Sequence, residues 1–335
     1  MIPKAQKYLF WVITIFVFVG SACNLNTTAP TPTSEPVVAT SEPTSTPVPK
    51  QQGVSPVDLP VKHSDQASDN NSSVDAAKKR VPGGDSFVNG LFERPFNANT
   101  MDKYFPYLDI VNTQGYLDAT WGYATITLSS PDANGHLSGK YGVELDLNQD
   151  GRGDWLIIVA NPSSTDWSTQ GVQAWKDTNG DVGGTVPMVA DKATSNGDGY
   201  ETLVFDQGKS SDNPDGAWAR VSSDTKTVTL AFKLAMLGNP KSYAMGSWAG
   251  TDLNPAMFDY NDHMTHIQAG DPDPGSLIYP LKSLSEIDNT CRLAIGFVPT
   301  GREPGLCLTI VKHKENNQPN PTPPPNPNNP PGIIP

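Results

Sequence analysis

Two acidic loops carry the residues of this sequence with the clearest chemistry. Residues 146–154 read Asp-Leu-Asn-Gln-Asp-Gly-Arg-Gly-Asp, so side-chain oxygens stand at loop positions one, three, five and nine around a glycine turn. Residues 177–184 read Asp-Thr-Asn-Gly-Asp-Val-Gly-Gly and repeat the first three of these positions, with Thr185 at the ninth. Calcium is a hard cation that takes roughly six to eight oxygen ligands, which such an alternation can supply. Both loops are therefore candidate calcium sites.

The two loops resemble the short calcium loops of dockerins, thrombospondin type 3 repeats and EF-hands. The resemblance implies one or two bound calcium ions, held by side chains except where Arg152 and Gly183 would offer carbonyl oxygens. The implied ligands are Asp146, Asn148, Asp150, Arg152 and Asp154 in the first loop, and Asp177, Asn179, Asp181 and Gly183 in the second. The flanks read as strands, so no helix-loop-helix is expected. Asp, Asn and Gly are also the residues of tight hairpin turns, which is the alternative interpretation.

A polar cluster within residues 259–266 offers a third kind of chemistry. It brings together two carboxylates and two imidazoles, those of Asp259, Asp262, His263 and His266. His263 and His266 could share one helical face as metal ligands, or the four groups could serve a hydrolase. The alternative is a polar loop whose imidazoles make ordinary hydrogen bonds. The sequence contains neither a Gly-x-Ser-x-Gly elbow nor a phosphate-binding glycine loop.

The elements that must position these groups read mostly as short strands. Runs rich in β-branched and aromatic residues alternate with clusters of Gly, Asn, Asp, Ser and Pro. The predicted strands cover residues 124–128, 141–147, 155–160, 171–175, 201–205, 217–221, 227–232 and 242–248. One short helix is predicted over residues 234–237. This spacing predicts an all-β fold, an antiparallel β-sandwich of jelly-roll type.

The order of a strand over residues 227–232, a Leu-Ala-Met-Leu-Gly turn and a strand over 242–248 resembles a known group of sandwich domains. These are the family 9 carbohydrate-binding modules and their DOMON relatives. The resemblance implies a sandwich that binds sugars, or in some relatives haem, at one face or edge. Aromatic rings that could form a sugar platform, or equally belong to the core, are Trp121, Trp155, Trp167, Trp175, Trp218 and Trp248.

Residues 1–22 have the order of a secretion signal. Lys4 and Lys7 precede an apolar run over residues 8–19, and small residues follow it. The run is shorter than the roughly 20 residues that a spanning helix needs. The segment resembles the lipobox of bacterial lipoproteins, which implies cleavage before Cys23, lipidation of its thiol, and anchoring at the cell surface or the periplasmic face of a bacterial membrane. An uncleaved anchor or an ordinary secretory signal is the alternative.

Lipidation of Cys23 would also account for the odd number of cysteines. The sequence has three cysteines, and lipid on Cys23 leaves Cys291 and Cys307 as a pair. Outside the cytoplasm such a pair is expected to be oxidised to a disulfide.

Composition divides the chain into four parts. The signal is followed by a Thr-, Pro- and Ser-rich stalk over residues 23–83, a β-sandwich domain over 84–315, and a Pro- and Asn-rich tail over 316–335. Both flanking segments are expected to be disordered, because they have too little apolar surface to offset the entropy of ordering. The net charge of -12 argues against nucleic acid as a partner, since phosphate binding needs clustered Lys and Arg.

Together these features predict a calcium-stabilised lipoprotein that binds a glycan at the cell surface without catalysis. An extracytoplasmic hydrolase built on the cluster at residues 259–266 is the first alternative. A structural envelope protein without a small ligand is the second.

Overall fold

The computed structural model describes residues 54–76, 78, 83–183, 197–209, 213–258, 260–270 and 281–307. The predicted signal at residues 1–22, Cys23 and the predicted tail lie outside these ranges. Within them the chain is mostly β, with antiparallel strands in two sheets and two short α-helices. The predicted all-β sandwich is confirmed.

The strands are, in chain order, β1 (Asp65–Ser68), β2 (Glu93–Arg94), β3 (Ile110–Leu117), β4 (Trp121–Leu128), β5 (Lys140–Asp146), β6 (Trp155–Ala160), β7 (Val172–Lys176), β8 (Thr202–Asp206), β9 (Ala217–Val221), β10 (Thr227–Lys233), β11 (Tyr243–Gly250), β12 (Ile287–Asn289) and β13 (Leu293–Ile295). The five-stranded sheet has the order β1-β3-β4-β10-β9. The eight-stranded sheet has the order β2-β12-β11-β5-β6-β7-β8, with β13 also paired to β11.

The helical elements are short. They are α1 (Ser73–Ala76), α2 (His266–Ala269) and 3-10 turns at Phe87–Asn89, Leu234–Leu237 and Pro255–Met257. The helix predicted over residues 234–237 is therefore present as a 3-10 turn, and it ends at Gly238, whose φ of 86° is left-handed.

The main core lies between the two sheets. In β4, Ala124, Ile126 and Leu128 point inward, while β5 contributes Val143 and Leu145 from the opposite sheet. These side chains are at most 1% exposed. Alternation along each strand thus supplies one apolar face per sheet, and its removal from water is the main stabilising contribution.

The outer face of the eight-stranded sheet is also covered. Trp248 on β11 packs there against Phe92, Phe258 and Tyr260, which come from loops that cross this face. Strand β6 is consequently buried on both sides, which explains its continuous apolar run, Trp-Leu-Ile-Ile-Val.

The folded domain begins earlier than the predicted boundary at residue 84. Strand β1 lies inside the predicted stalk, yet it pairs with β3, from Asp65 opposite Gly115 to Ser68 opposite Asn112. Its sequence, Asp-Gln-Ala-Ser, has no hydrophobic pattern. An edge strand does not need one, because backbone hydrogen bonds to its neighbour can hold it in place. The composition of the segment therefore concealed this strand.

The predicted disulfide is confirmed. Cys291 and Cys307 are bonded, with their Cα atoms 5.0 Å apart. The backbone beside the bond is paired as well, since the Arg292 amide donates to the Gly305 carbonyl at 2.8 Å. The disulfide therefore fastens the chain beyond residue 300 to the start of β13.

Candidate functional site

The first acidic loop joins β5 to β6. The Asp146 carboxylate accepts hydrogen bonds from the amides of Gln149 at 2.6 Å and Gly151 at 2.8 Å. Both of these residues have left-handed backbone, with φ of 62° and 93°. Asp146 thus caps the turn that the loop makes, as an Asp at the start of a tight turn commonly does.

The other predicted ligands of this loop also bond within it. The Asp150 amide donates to Asn148 Oδ1 at 3.0 Å, and the Leu147 amide donates to Asp154 Oδ2 at 2.6 Å. The carboxylate oxygens of Asp146, Asp150 and Asp154 do not all lie within 4.8 Å of one another. In the described ranges, three acidic, His or Cys groups come that close at one other place. The loop is arranged here as a hydrogen-bonded turn.

A buried guanidinium lies behind the first loop. Arg292 donates to Asp146 Oδ2 at 3.2 Å and to the neighbouring carboxylate of Glu144. All three side chains are at most 5% exposed. Burial raises the pKa of Asp146, and the Arg292 charge opposes that rise. Asp146 is therefore balanced partly by a positive charge of the protein itself.

The second acidic loop follows β7. The Asp177 carboxylate accepts from the amides of Gly180 at 2.7 Å and Val182 at 3.0 Å, and Gly180 has a φ of 76°. Within the part of the chain that the structure covers, Asp181 Oδ1 is buried and has no hydrogen-bond partner. Gly183 is buried at the end of this loop, and Thr185 lies outside the described residues.

Asp198, which lies beyond residues 184–196 in the sequence, also contacts the second loop. Asn179 Nδ2 donates to Asp198 Oδ1 at 2.9 Å, and the Asp198 amide donates to Asp181 Oδ2 at 3.2 Å. The sequence pattern did not identify Asp198, because it lies outside the alternating run. A third carboxylate beside Asp177 and Asp181 adds an oxygen donor to this loop.

The two acidic loops lie side by side at one end of the eight-stranded sheet. The Asp177 amide donates to the Asp154 carbonyl at 3.1 Å, and Arg152 Nη1 donates to the Val182 carbonyl at 2.9 Å. Pairing of Trp155 with Lys176 in β6 and β7 sets this register. Arg152 ties one loop to the other through its side chain, and its predicted role as a carbonyl ligand stays a prediction.

The polar cluster does not form a shared helical face. Helix α2 begins at His266, with Thr265 as its N-cap, so His263 precedes the helix in a turn. The His266 ring packs edge-on against Phe87, with centroids 4.9 Å apart. Burial raises the pKa of Asp262, opposed by the charges of His263 and Arg152. Asp259 lies outside the described residues.

Aromatic rings occupy the outer face of the five-stranded sheet. Strand register places Tyr116, Tyr123, Ala231 and Trp218 in one row across four strands. Trp121, two residues before Tyr123 on β4, belongs to the same cluster. The six tryptophans therefore do not form one surface. Trp155 and Trp248 are buried core residues, and Trp175 packs on the outer face of the other sheet.

Trp167 extends this aromatic face from a loop. Its ring centroid lies 6.3 Å from that of Tyr123, and the Arg220 guanidinium lies 4.5 Å above the Trp167 ring. Trp167 and Trp218 are half-buried. Beside them is a cleft of about 260 Å³, lined partly by Arg220 and Gln170.

An extended segment over residues 54–64, here called the strap, lies across the aromatic face. Leu59 packs against the aromatic cluster, and the His63 ring lies 6.3 Å from that of Tyr116. The Val54 amide donates to Asp215 Oδ2 at 2.7 Å, which fixes the strap's other end. The strap thus covers rings that a sheet face would otherwise expose.

A second group of acids lies where β1, β2 and β12 approach one another, with Glu93 and Asp288 buried and Asp69 half-buried. Asp69, Glu93 and Asp288 place their carboxylate oxygens within 4.8 Å of one another. Burial raises the pKa of Asp69 to about 6 and that of Glu93 to about 9, and it raises the pKa of Asp288 strongly. No local sequence pattern indicates this group, because its members are single acids far apart in the chain.

Within the described ranges, no helix is long and apolar enough to cross a membrane. No protein-family model, curated protein or solved structure matches the chain.

Proposed function

We propose that this chain is a non-catalytic binding lipoprotein that recognises a glycan through the aromatic face of its five-stranded sheet. The observation that carries the proposal is the row of Tyr116, Tyr123 and Trp218, extended by Trp167. The strap covers much of this row, but Trp167 and Trp218 stay partly exposed beside it, where a ligand can reach them. Sugar rings present C–H faces that stack on such aromatic surfaces.

Polar groups at the edge of the aromatic face suit a hydroxyl-rich ligand. Arg220 lies over Trp167, Lys233 forms an ion pair with Asp215, and Asp118 accepts from the Tyr123 hydroxyl at 3.1 Å. Binding sites commonly combine an apolar surface with a few fixed polar groups. The mixture of charges favours a polar, neutral or mildly charged ligand over nucleic acid.

The strap decides how much of the face a ligand meets. Trp167 and Trp218 are partly exposed with the strap in place, whereas Trp121 and Tyr123 are at most 3% exposed. A glycan would contact the first pair directly. Displacement of Leu59 would extend the contact towards the second pair.

Calcium is the second part of the proposal. The two acidic loops would each hold one ion, and the buried, unpartnered Asp181 Oδ1 supports the second loop most directly. A carboxylate has about four lone-pair sites, so Asp146 and Asp177 can accept amide hydrogens and still ligate a cation. In the second loop Asp198 would supplement Asp177, Asn179 and Asp181.

Anchoring through Cys23 completes the proposal. The Cys291–Cys307 disulfide supports an oxidising compartment, as expected for an exported protein. Labelling with a palmitate analogue should mark the wild-type chain and leave Cys23→Ser unlabelled. Label retained by the variant would refute lipidation at this residue.

Affinity electrophoresis tests the ligand face. The full chain is run through gels that contain soluble polysaccharides, and retardation by at least one of them is expected. Trp218→Ala and Trp167→Ala should weaken that retardation about tenfold or more, since stacking aromatics are frequent hot spots. Trp175→Ala is the matched control, because this half-buried tryptophan lies on the other sheet. Equal retardation of all four proteins would refute the assigned face.

A further inference from the structure

The acids Asp69, Glu93 and Asp288 lie where the two sheets meet at one edge of the sandwich; Glu93 and Asp288 are buried and Asp69 is half-buried. Asp69 follows β1, the edge strand of the five-stranded sheet. Glu93 lies in β2, the edge strand of the eight-stranded sheet, and Asp288 lies in the adjacent β12. Glu93 and Asp288 lie opposite each other in paired strands, whereas β1 belongs to the other sheet. One ligand held by all three would therefore connect the end of β1 to β2 and β12.

The separation of these carboxylates suits a metal ion. Their ligand oxygens all lie within 4.8 Å of one another. Calcium binds oxygen at about 2.3–2.6 Å, so two oxygens on opposite sides of one ion are roughly 4.6–5.2 Å apart. The three acids therefore already have the spacing of a shared coordination sphere.

Two oxygens of this group have no hydrogen-bond partner among the described residues. They are Asp288 Oδ1 and Asp69 Oδ2, and both are buried. Asp288 is 0% exposed, and its other oxygen accepts from the Ile110 amide at 2.6 Å. Buried polar atoms are almost always satisfied by protein, water or an ion, so these two oxygens indicate a ligand between them.

No basic side chain in the described ranges neutralises the group. Arg94, the nearest arginine in sequence, donates to Asp85 and to the carbonyls of Ala269 and Leu284. No Lys, Arg or His within those ranges forms an ion pair with Asp69, Glu93 or Asp288. Buried charges are normally paired or bound to metal, and otherwise the group takes up protons.

A further layer of hydrogen bonds orients the acids. Ser72 Oγ donates to Glu93 Oε1 at 2.6 Å, and the Ser72 amide donates to Asp109 Oδ2 at 3.1 Å. Asp109 also accepts from the Tyr104 hydroxyl. Such outer partners commonly fix the direction of metal ligands.

We infer that Asp69, Glu93 and Asp288 hold a single calcium ion, which fastens β1 and the strap to the edge of the sandwich. Ser72 and Asp109 act as positioning residues. The site is independent of the two acidic loops and of the proposed glycan binding. Its members come from β2, β12 and the residue after β1, unlike those of a continuous calcium loop.

Calcium titration of the metal-stripped full chain by calorimetry tests the inference. Wild type should bind one more calcium ion per chain than Asp288→Asn. Glu93→Gln should show the same loss. Asp252→Asn is the matched control, because it removes an equal charge from a side chain that is 78% exposed. The double variant Asp150→Asn, Asp181→Asn should retain this site, which separates it from the loops.

Two outcomes would overturn the inference. One is that Asp288→Asn and Glu93→Gln bind as many ions, as tightly, as wild type. The other is that both variants melt at or above the metal-free wild type while calcium leaves wild-type melting unchanged, which would mean that protons neutralise the group. If Asp288→Asn fails to fold, Glu93→Gln and the half-buried Asp69→Asn decide by the same titration.

Discussion

Arg292 illustrates how single residues set the electrostatics of this domain. It contacts the buried carboxylates of Glu144 and Asp146, which lie two positions apart in β5, with Asp146 as its last residue. Removing one partner of a buried ion pair leaves a charge without compensation, and this costs far more than the pair itself contributes.

Arg292→Met should therefore lower the free energy of unfolding by about 3–5 kcal/mol. Urea denaturation of the full chain measures it. Lys140→Met serves as the control, since the Lys140–Asp252 pair is exposed and such pairs contribute about 0–1 kcal/mol. A loss below about 1 kcal/mol for Arg292→Met would show that the charge of Asp146 is compensated in another way.

At the residue scale, the sequence predicted the acidic loops but not their surroundings. The spacing of Asp177, Asn179 and Asp181 was visible, because the three lie within five positions. Asp198 and the group of Asp69, Glu93 and Asp288 were not visible. Side chains that meet only through strand pairing and sheet packing leave no local pattern.

At the scale of elements, the strap shows that composition alone misjudged the start of the domain. A Pro- and Ser-rich segment was expected to be a spacer, yet Leu59 packs on the aromatic face and β1 pairs with β3. Both contacts depend on the sheet that receives them. The segment itself carries no periodic signal.

Leu59→Ala should loosen the strap over the aromatic face. Quenching of tryptophan fluorescence by acrylamide should rise, because Trp167 and Trp218 lie in the cluster that Leu59 contacts. Val61→Ala removes an aliphatic side chain from the same strap, but Val61 is fully exposed, so quenching should not change. Equal quenching of both variants would contradict a covering role for Leu59.

Strand prediction succeeded where one face or both faces are apolar. Strands β4–β11 were placed within a few residues, since their alternating or continuous apolar runs are strong signals. Strands β2 and β12 were missed because they are Glu-Arg and Ile-Asp-Asn, whose charged side chains are buried. Strand β3, Ile-Val-Asn-Thr-Gln-Gly-Tyr-Leu, was missed because polar residues fill most of its middle.

At the scale of the whole molecule, calcium and the disulfide would act on different parts of the sandwich. The acidic loops lie at the ends of β5 and β7, and the inferred ion lies where β1, β2 and β12 meet. The Cys291–Cys307 bond holds the chain after β13. Ligands that bind only the folded state stabilise it by mass action.

Chelator should therefore lower the melting temperature of the full chain, and added calcium should restore it. The expected gain is about 2.7 kcal/mol when free calcium is 100 times the dissociation constant of one site. Differential scanning calorimetry measures the shift, with magnesium as the control ion. Melting that is indifferent to both chelator and calcium would contradict calcium binding anywhere in the domain.

Glycan binding can be measured by probing a glycan array with the folded full chain in the presence of calcium. At least one structural class of glycan should be retained, and that signal should be lost in Trp218→Ala but not in Trp175→Ala. Absence of any retained glycan, with calorimetry showing that the chain is folded, would contradict glycan binding.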